Sequence, residues 1–318
     1  MMAVLGIDTS CYRTSLALAG DGAIYADRRR LIEVESGERG VMQSQALFQH
    51  VEHLGSICED VFSQTKDVKL RAVCVSAHPR PVNDSYMPVF LAGIMAARAI
   101  AASHNVPLLE TSHQQGHIRA ALVGNELPAG DFLALHLSGG TTEVLRVSVG
   151  LGIELLGGST DLHAGQLVDR AGVWMGLSFP AGPQLEELAH GIEAQSLIPT
   201  ANRDCTLSFS GAEAQVRRMI DAGISHAQVA AEIYSFLSRT IAKLIERAHA
   251  DTGIKYVLIG GGVAASLILR KMLTQRLIKR KVSVTLHWGR PELSGDNAVG
   301  VALIGDEMYR KQMEGTQQ

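Results

Sequence analysis

One order of secondary structure occurs twice in this chain, and the repetition restricts the fold more than any single motif. Residues 3–10, AVLGIDTS, form a short apolar run that ends in three polar residues, and two further runs follow, TSLALAG and AIYADRRRLI. This pattern predicts three antiparallel strands. A helical pattern over about 44–62, a buried strand RAVCVSA and a helix over about 88–103 come next.

The second copy begins about 130 residues later. FLALHLSGG ends in Ser138-Gly139-Gly140, TEVLRVSVG and IELLGGS supply two more strands, and a helix is predicted over about 164–175. KYVLIGGGVAASLILRKML then predicts a buried strand, a glycine turn and a helix, and VSVTLHW predicts a late strand. The closing helix begins at a natural cap, Asp296 or Asn297.

A duplication of this kind has a physical consequence. Two such lobes that face each other would present both polar turns to one ligand cleft, where backbone N–H groups can hold phosphate. That arrangement is typical of the actin-like ATPase (ASKHA) fold, which sugar kinases and Hsp70 also use; the alternative is two ordinary hairpins in an α/β protein. We predict an α/β protein of this fold, with an N-terminal lobe over 1–128, completed by a helix over 296–313, and a C-terminal lobe over 129–295.

Composition narrows the class of protein. With 318 residues, 46% hydrophobic and 19% charged, the chain can fill the cores of two lobes. A net charge of −3 gives no overall attraction to nucleic acid, so an RNA partner would need local basic patches. Three short runs are candidates, although a solvated element end is the more ordinary interpretation of each: Arg28-Arg29-Arg30, Arg217-Arg218 and Lys279-Arg280-Lys281.

The cysteines and the apolar segments bear on location. No Cys-x-x-Cys pair is present, so reduced thiols in a cytoplasmic protein are expected of Cys11, Cys58, Cys74 and Cys205. The N-terminus shows no signal-peptide pattern, and the most apolar helical stretch, FLAGIMAARAIAA, is too short for a bilayer and contains Arg98. The sequence therefore predicts a cytoplasmic protein without a membrane anchor.

Two histidines four residues apart, His113 and His117, lie on one face of a predicted helix, where they could bind one metal ion or simply be polar surface residues. Ser112 and Gln115 form a capping-box pattern, which predicts that the helix begins at His113. The helix dipole there favours neutral imidazole, the form that binds metals. A third ligand is needed, and Asp296 is a candidate that could equally cap the last helix.

The sequence lacks the pattern of a zinc peptidase and that of a dinucleotide-binding loop. Zinc peptidases of the His-Glu-x-x-His type need a glutamate between the histidines, and the intervening residues here are Gln-Gln-Gly, so a peptidase is not expected. The triple glycine 260–262 lies between a strand and a helix, where a ligand can approach the backbone closely. It lacks the spacing of the dinucleotide-binding fingerprint.

Taken together, the motifs resemble the TsaD family, the bacterial tRNA N6-adenosine threonylcarbamoyltransferases once called O-sialoglycoprotein endopeptidases. The resemblance runs from VLGIDTSC to SGDNAVGVALIG. The matching segments, in order, are SHQQGH, LHLSGGTTEVL, DLHAGQLVDRAGVWMGLSFPAGPQLE, LSFSGAEA, IGGGVAASLILR and SGDNA.

This resemblance implies the fold, the reaction and the residues of the site. It implies a divalent metal, Fe2+ or Zn2+, held by the catalytic residues His113, His117 and Asp296. It implies substrate-binding residues for an adenine nucleotide, in the family threonylcarbamoyl-adenylate: His136, Leu137, Ser138, Gly139, Gly140, Asp169, Gly182 and Ser266. The acceptor would be N6 of adenosine 37 in tRNA, and an actin-like protein of the same modification machinery would be a partner.

The chain departs from the family pattern at several positions. Tyr12 and Arg13 replace an acidic pair, which reverses the local charge. The loop HPRPVNDSYMP replaces a shorter GPG loop, and single changes put Gln115 for glutamate, Glu213 for lysine and Ser266 for asparagine.

Three functions therefore stay open. The first is an active threonylcarbamoyltransferase. The second is a non-catalytic scaffold paralogue that pairs with an actin-like partner. The third is an ATP-dependent kinase of the same fold, for which Asp8 would be the metal-linked carboxylate.

Overall fold

The computed structural model describes residues 1–10, 12–34, 41–82, 84–127 and 129–316. They divide into two compact units, an N-terminal unit within Met1–Val34, Gly40–Val123 and Asp296–Gln318, and a C-terminal unit within Gly124–Gly295. The predicted lobe boundary falls on Pro128, which lies outside the described residues, so the division at that residue stays a prediction.

The N-terminal unit contains a five-stranded sheet in the order β3-β2-β1-β4-β5. The strands are β1 (Met2–Asp8), β2 (Arg13–Gly20), β3 (Ala23–Leu31), β4 (Lys69–His78) and β5 (Leu108–Ser112). The first three are antiparallel, and β4 and β5 run parallel to β1. The helices among the described residues of this unit are α1 (Gln43–Gln64), α2 (Phe90–His104), α3 (His113–Ala121) and α9 (Val299–Thr316).

Helices cover both faces of this sheet. On one face α1 and α2 bury a core that includes Leu5, Ile7, Leu16 and Val75. On the other face α9 lies directly on β1: a Cβ added to Gly6 would stand 2.5 Å from the backbone nitrogen of Ala302. The glycine thus allows a closer approach of helix to strand than any other residue would.

The C-terminal unit repeats this topology. Its seven-stranded sheet has the order β12-β11-β6-β7-β8-β10-β9. The strands are β6 (Phe132–Leu137), β7 (Thr142–Val147), β8 (Ile153–Ser159), β9 (Asn202–Arg203), β10 (Thr206–Leu207), β11 (Tyr256–Gly260) and β12 (Thr285–Trp288). The strands from β6 to β8 are antiparallel, and β11 and β12 run parallel to β6, as in the first sheet. The predicted duplication is confirmed.

The helices of the C-terminal unit include three, between residues 182 and 252, for which no helix was predicted from the sequence. The helices that the structure describes in this unit are α4 (Ala164–Trp174), α5 (Gly182–Ala189), α6 (Ser210–Asp221), α7 (His226–Thr252) and α8 (Leu267–Lys279). A 3-10 turn, Gly262–Ala265, precedes α8. Helix α7 is the centre of the core, since nearly every residue from Val229 to Ala242 is buried.

Two predictions about helix starts can be compared with the structure. Helix α3 begins at His113, and Ser112 and Gln115 form the predicted capping box. For the last helix, the side chain of Asn297 accepts a hydrogen bond from Val299 N–H at 3.0 Å. Asp296 is therefore not needed as a cap, and its carboxylate is directed elsewhere.

Among the described residues no helix is both long and apolar enough to cross a membrane. Cys58, Cys74 and Cys205 are free thiols, as expected, and Cys11 lies outside the described residues. Burial raises the pKa of the Cys74 thiol to about 12.

A buried polar cluster joins α1 to the sheet. The Thr14 hydroxyl lies 2.9 Å from His50 Nδ1 and 3.2 Å from His53 Nδ1, and all three side chains are buried. Because one hydroxyl carries one proton, it can donate to only one of the two rings, so at least one of them donates to it. Burial, with the positive charge of Arg30, lowers the pKa of His53 below its ordinary value and outweighs the nearby glutamates.

This cluster predicts an acid-sensitive stability. When pH falls below about 6.5, the unfolded chain protonates at this histidine while the folded protein resists, so the free energy of unfolding should decrease. Urea unfolding of the wild type at pH 7.5 and pH 5.5 should show this decrease, and His53→Gln should reduce it. The control is His104→Gln, a change to an exposed histidine. An unchanged pH dependence in His53→Gln would contradict the assignment.

Candidate functional site

The N-terminal unit brings three potential metal ligands together. His113 and His117 lie one turn apart on α3, and Asp296 lies just before α9. The two Nε2 atoms are 3.0 Å apart, and Asp296 Oδ1 lies 3.3 Å from His117 Nε2 and 3.7 Å from His113 Nε2. His117 is buried and the other two side chains are mostly buried.

The packing of two glycines explains this convergence. A Cβ added to Gly300 on α9 would stand 1.9 Å from the carbonyl oxygen of Gly116 on α3. Since no side chain fits at this crossing, the two helix backbones are in direct contact. The contact brings the residue before α9 next to the first turns of α3.

The three donors have the geometry that a metal ion requires. With bonds of about 2.0–2.2 Å, the donors of a tetrahedral site lie about 3.3 Å apart. The observed separations, from 3.0 to 3.7 Å, surround that value. Two imidazoles and one carboxylate suit Zn2+ and Fe2+ alike. These residues therefore fit a divalent metal and leave further positions open for a substrate or water.

A second group of residues orients the first. Asp8, at the end of β1, accepts a hydrogen bond from His113 Nδ1 at 2.9 Å through Oδ2. The same oxygen accepts from the Ser76 hydroxyl, while Oδ1 accepts from Ser10 N–H at 3.0 Å and from the Ser10 hydroxyl. With Nδ1 as the donor, His113 presents the lone pair of Nε2 toward His117 and Asp296, which is the tautomer that binds a metal.

The ionisation of the four groups is coupled. Burial disfavours the charged carboxylates, but the histidines and the hydrogen bonds outweigh it, so the pKa values of Asp8 and Asp296 are lowered. Burial favours neutral imidazole, yet the charge of Asp8 raises the pKa of His113. Burial and the charge of His113 together lower the pKa of His117. A bound cation would compete with the proton on His113, so metal affinity should fall in acid.

The Asp8 bonds predict the effect of Asp8→Asn. The amide oxygen must face Ser10 N–H, so the NH2 group would face His113 and place the ring proton on Nε2, where the metal should bind. We expect metal affinity to fall about 10–100-fold, as is typical when a partner of a ligating histidine is lost. Competition with a fluorescent chelator measures it. Ser63→Ala, a substitution on the exposed end of α1, is the control. Wild-type affinity in Asp8→Asn would show that Asp8 does not orient the ligand.

One contact of the site comes from the backbone. Tyr12 N–H donates to Asp296 Oδ2 at 3.1 Å and so holds the second carboxylate oxygen. No sequence pattern predicts this contact, because any residue except proline supplies the same N–H. Ser76 differs, since a polar residue near the end of a strand parallel to β1 is a signal that the sequence does offer.

The C-terminal unit carries two glycine turns after neighbouring parallel strands. Gly139 and Gly140 follow β6, and Gly261 and Gly262 lie after β11. Gly261 has φ +97°, and its added Cβ would meet the Leu137 carbonyl oxygen at 2.4 Å. Nothing would lie within 4 Å of a Cβ at Gly140 or Gly262. Gly261 thus packs against the end of β6, while Gly140 and Gly262 leave open backbone at the carboxyl edge of the sheet, where nucleotides bind in many α/β proteins.

The other predicted ligand residues lie in the same unit. Asp169 on α4 accepts from Ala181 N–H at 2.9 Å, and burial raises its pKa. Gly182 is the first residue of α5, and its carbonyl oxygen accepts from the Tyr234 hydroxyl. Ser266 caps α8 by accepting from Leu269 N–H. His136 is buried in β6 opposite Gly260 of β11. Their contact with a ligand stays a prediction.

The departures noted in the sequence also have definite positions. Glu213 pairs with Arg170 at 2.8 Å, so its carboxylate is neutralised within the unit. Gln115 belongs to the capping box of α3. The loop between β4 and α2 is joined to the site through Gln114 N–H, which donates to the Pro79 carbonyl oxygen at 3.0 Å. Asn83 of this loop lies outside the described residues.

One arginine of each basic run pairs with a carboxylate. Arg29 pairs with Asp27, Arg217 with Asp221, and Arg280 with Glu246. Each of these arginines is therefore partly neutralised, and contact of the three runs with RNA stays a prediction.

The chain is similar to known proteins over most of its length. A sequence model of the TsaD family, described as tRNA N6-adenosine threonylcarbamoyltransferase, matches residues 28–303. A tRNA N6-adenosine threonylcarbamoyltransferase from Dictyoglomus turgidum (strain DSM 6724 / Z-1310) is 30% identical over 98% of this chain and 94% of its own length.

Solved structures show the same fold at low sequence identity. Component A of the Acidaminococcus fermentans (R)-2-hydroxyglutaryl-CoA dehydratase aligns over 98% of this chain and all of its own, with 15% identity and a TM-score of 0.60. A Streptomyces griseus ROK-family glucokinase aligns over 95% of this chain and 98% of its own, with 11% identity and a TM-score of 0.56. The T. kodakarensis HypF structure gives 16% identity over 97% of this chain and a TM-score of 0.62, and the chain spans about half of its length. The predicted actin-like fold is confirmed.

Proposed function

The chain belongs to the TsaD family of tRNA N6-adenosine threonylcarbamoyltransferases, and we propose that it transfers the threonylcarbamoyl group from threonylcarbamoyl-adenylate to N6 of adenosine 37 in tRNA. The observation that carries the proposal is the convergence of His113, His117 and Asp296, whose donor atoms all lie within 4.8 Å of one another. A scaffold protein would not require this cluster, with its ordered hydrogen bonds to Asp8 and Tyr12 N–H.

The chain's own residues have separate tasks in this reaction. His113, His117 and Asp296 would hold the divalent metal, Fe2+ or Zn2+, and Asp8 keeps His113 in the required tautomer. When bound, the metal would act as a Lewis acid that polarises oxygens of the donor. Tyr12 N–H fixes the Asp296 carboxylate, which then needs no reorganisation during transfer.

The glycine turns would hold the adenylate. Backbone at Gly140 and Gly262 can approach a phosphate or an adenosine group, because the space that a side chain would fill there is open. Asp169 would accept hydrogen bonds from ribose hydroxyls, since a carboxylate can take two. N6 of the adenosine attacks the carbamoyl carbon, and the bond from that carbon to the phosphate oxygen breaks, so that AMP leaves. The proton released from N6 passes to solvent or to the departing phosphate.

A reconstituted reaction tests the proposal. Purified metal-loaded protein, threonylcarbamoyl-adenylate and unmodified tRNA should yield threonylcarbamoyl-adenosine, detected by mass spectrometry of nucleosides. The control tRNA carries guanosine at position 37. If no product forms, even with the cell's other modification proteins added, the transferase proposal fails for this chain.

One surface feature supports a partner protein and keeps the scaffold function as the second candidate. Phe48 and Val51 on α1 and Leu91 and Met95 on α2 are exposed large apolar side chains on two helices that pack together. Exposed apolar patches of this kind mark protein interfaces. We propose that an actin-like partner of the tRNA-modification machinery covers this patch.

Deletion and binding experiments separate the two candidates. If the protein is a scaffold, deleting its gene should leave tRNA modification intact in a genome with a second, orthodox copy. If the protein is the enzyme, deletion should abolish the modification where this is the only copy.

The proposed interface has its own test. Phe48→Ser should prevent co-elution with the candidate partner protein in size-exclusion chromatography. The control is Tyr86→Ser, which makes a similar change at an exposed aromatic residue outside α1 and α2.

A further inference from the structure

The register of the first two strands places Arg13 on the metal-ligand face of the sheet. Asp8 of β1 lies opposite Ser15 of β2, and opposite residues of an antiparallel pair point to the same face. Successive residues alternate between faces, so Arg13 lies on the face of Ser15 and Asp8. Thr14 points to the other face, where its hydroxyl meets His50.

Arg13 also directly follows the residue whose backbone contacts a candidate metal ligand. The preceding residue, Tyr12, donates its N–H to Asp296 Oδ2 at 3.1 Å. On the same face of the sheet, the Ser15 hydroxyl is fully buried and has no hydrogen-bond partner within the described ranges. Two polar side chains without a described partner, Ser15 and the cationic Arg13, thus lie on the face of the sheet that carries the metal-ligand cluster.

The Arg13 guanidinium has no counter-ion in the part of the chain that the structure describes, although the residue is half-buried. Other half-buried arginines of this unit differ: Arg71 pairs with Asp306, Arg119 with Glu307 and Arg29 with Asp27. A half-buried guanidinium is best stabilised by a planar anion that accepts two hydrogen bonds. If a divalent cation balances the two negative charges of Asp8 and Asp296, the charge of Arg13 gives the cluster an excess of positive charge.

We propose that Arg13 is a specificity-determining residue, whose guanidinium binds a carboxylate on the group that this site transfers. The inference rests on the proposed function and narrows it: the donor is an acyl- or carbamoyl-adenylate whose transferred group is itself an anion. A donor without that carboxylate leaves the guanidinium unpaired and binds less well. No bond is made or broken by Arg13, which acts through position and charge.

Binding of two matched probes tests this without any turnover. One is an acylsulfamoyl-adenosine analogue of threonylcarbamoyl-adenylate with a free carboxylate, and the other is the same molecule with a primary amide in its place. Calorimetry on metal-loaded protein should show that Arg13→Gln weakens the carboxylate probe at least about tenfold. The amide probe should change less than about twofold, and Arg13→Lys should lie in between.

Three controls distinguish binding of the carboxylate from binding of the phosphate and from a loss of folding. AMP carries only the phosphate, and its affinity should be the same in wild type and Arg13→Gln; an equal loss for AMP would assign the guanidinium to the phosphate and overturn the proposal. Arg30→Gln makes the same change opposite Thr14, on the other face of the sheet, and should leave both probes unaffected. Unchanged metal content and melting temperature show that Arg13→Gln is folded.

The outcomes distinguish this inference from the proposed function. If wild-type protein makes no threonylcarbamoyl-adenosine but prefers the carboxylate probe through Arg13, only the transferase proposal fails. If it makes the product and Arg13→Gln binds both probes as the wild type does, only the role of Arg13 fails. An equal loss for the carboxylate and amide probes also overturns that role.

Discussion

Replacing His117 with alanine is expected to remove bound metal from the protein and, with it, the transfer of threonylcarbamoyl. The His117 ring is buried, and its Nε2 lies within 3.0 Å of His113 Nε2 and 3.3 Å of Asp296 Oδ1. Without it only two protein ligands stay, and catalytic metal sites ordinarily use three. We expect metal occupancy below about a tenth of wild type and a rate loss of more than about 100-fold.

Elemental analysis of the purified protein, together with the nucleoside assay, measures both effects. His226→Ala is a matched control, because His226 is an exposed histidine in the first turn of α7, with a serine cap before it as at α3. It should keep wild-type metal and rate. A folded His117→Ala protein that retains one metal per chain would show that the ion is held elsewhere.

Gly300→Ala adds one methyl group and is expected to destabilise the N-terminal unit more than the same change at its other glycines. Its Cβ would stand 1.9 Å from the Gly116 carbonyl oxygen and 2.8 Å from Ala120 N, and both are backbone atoms that cannot rotate away. Helix α9 would have to separate from α3, which carries His113 and His117. We expect a loss of about 3 kcal/mol in the free energy of unfolding, at the upper end of overpacking costs, and weaker metal binding as well.

Urea unfolding and metal titration of Gly300→Ala test this expectation. The control is Gly55→Ala, at a helical glycine whose added Cβ meets nothing within 4 Å. It should stabilise the protein by up to about 1 kcal/mol, because alanine costs less conformational entropy in a helix. Equal stability of Gly300→Ala and Gly55→Ala would contradict the close helix crossing.

The parts of the fold that could be predicted from sequence are those set by local patterns. The start of α3 follows from Ser112 and Gln115, three residues apart, and the structure shows this capping box. The repeated strand order follows from alternating apolar runs and polar turns. Helix α7 was not assigned because nearly all of its first four turns are buried, so no single apolar stripe identifies it.

The candidate site could be predicted only in part, because its decisive contact joins distant residues. Asp296 before a helix is suited equally to capping and to binding a metal. What separates the two is the side chain of Asn297, which takes the first-turn N–H, and the glycine crossing of α3 and α9. Neither contact has a local pattern. The family resemblance supplied the ligand set, and the structure brings those three side chains together.

Anomalous X-ray diffraction from crystals of metal-loaded protein, at the absorption edges of iron and zinc, tests the central claim most directly. The account predicts one strong peak about 2.0–2.3 Å from His113 Nε2, His117 Nε2 and an Asp296 oxygen, with His113 Nδ1 still bonded to Asp8. A peak at any other position, or none at these three side chains in protein that forms threonylcarbamoyl-adenosine, would contradict it.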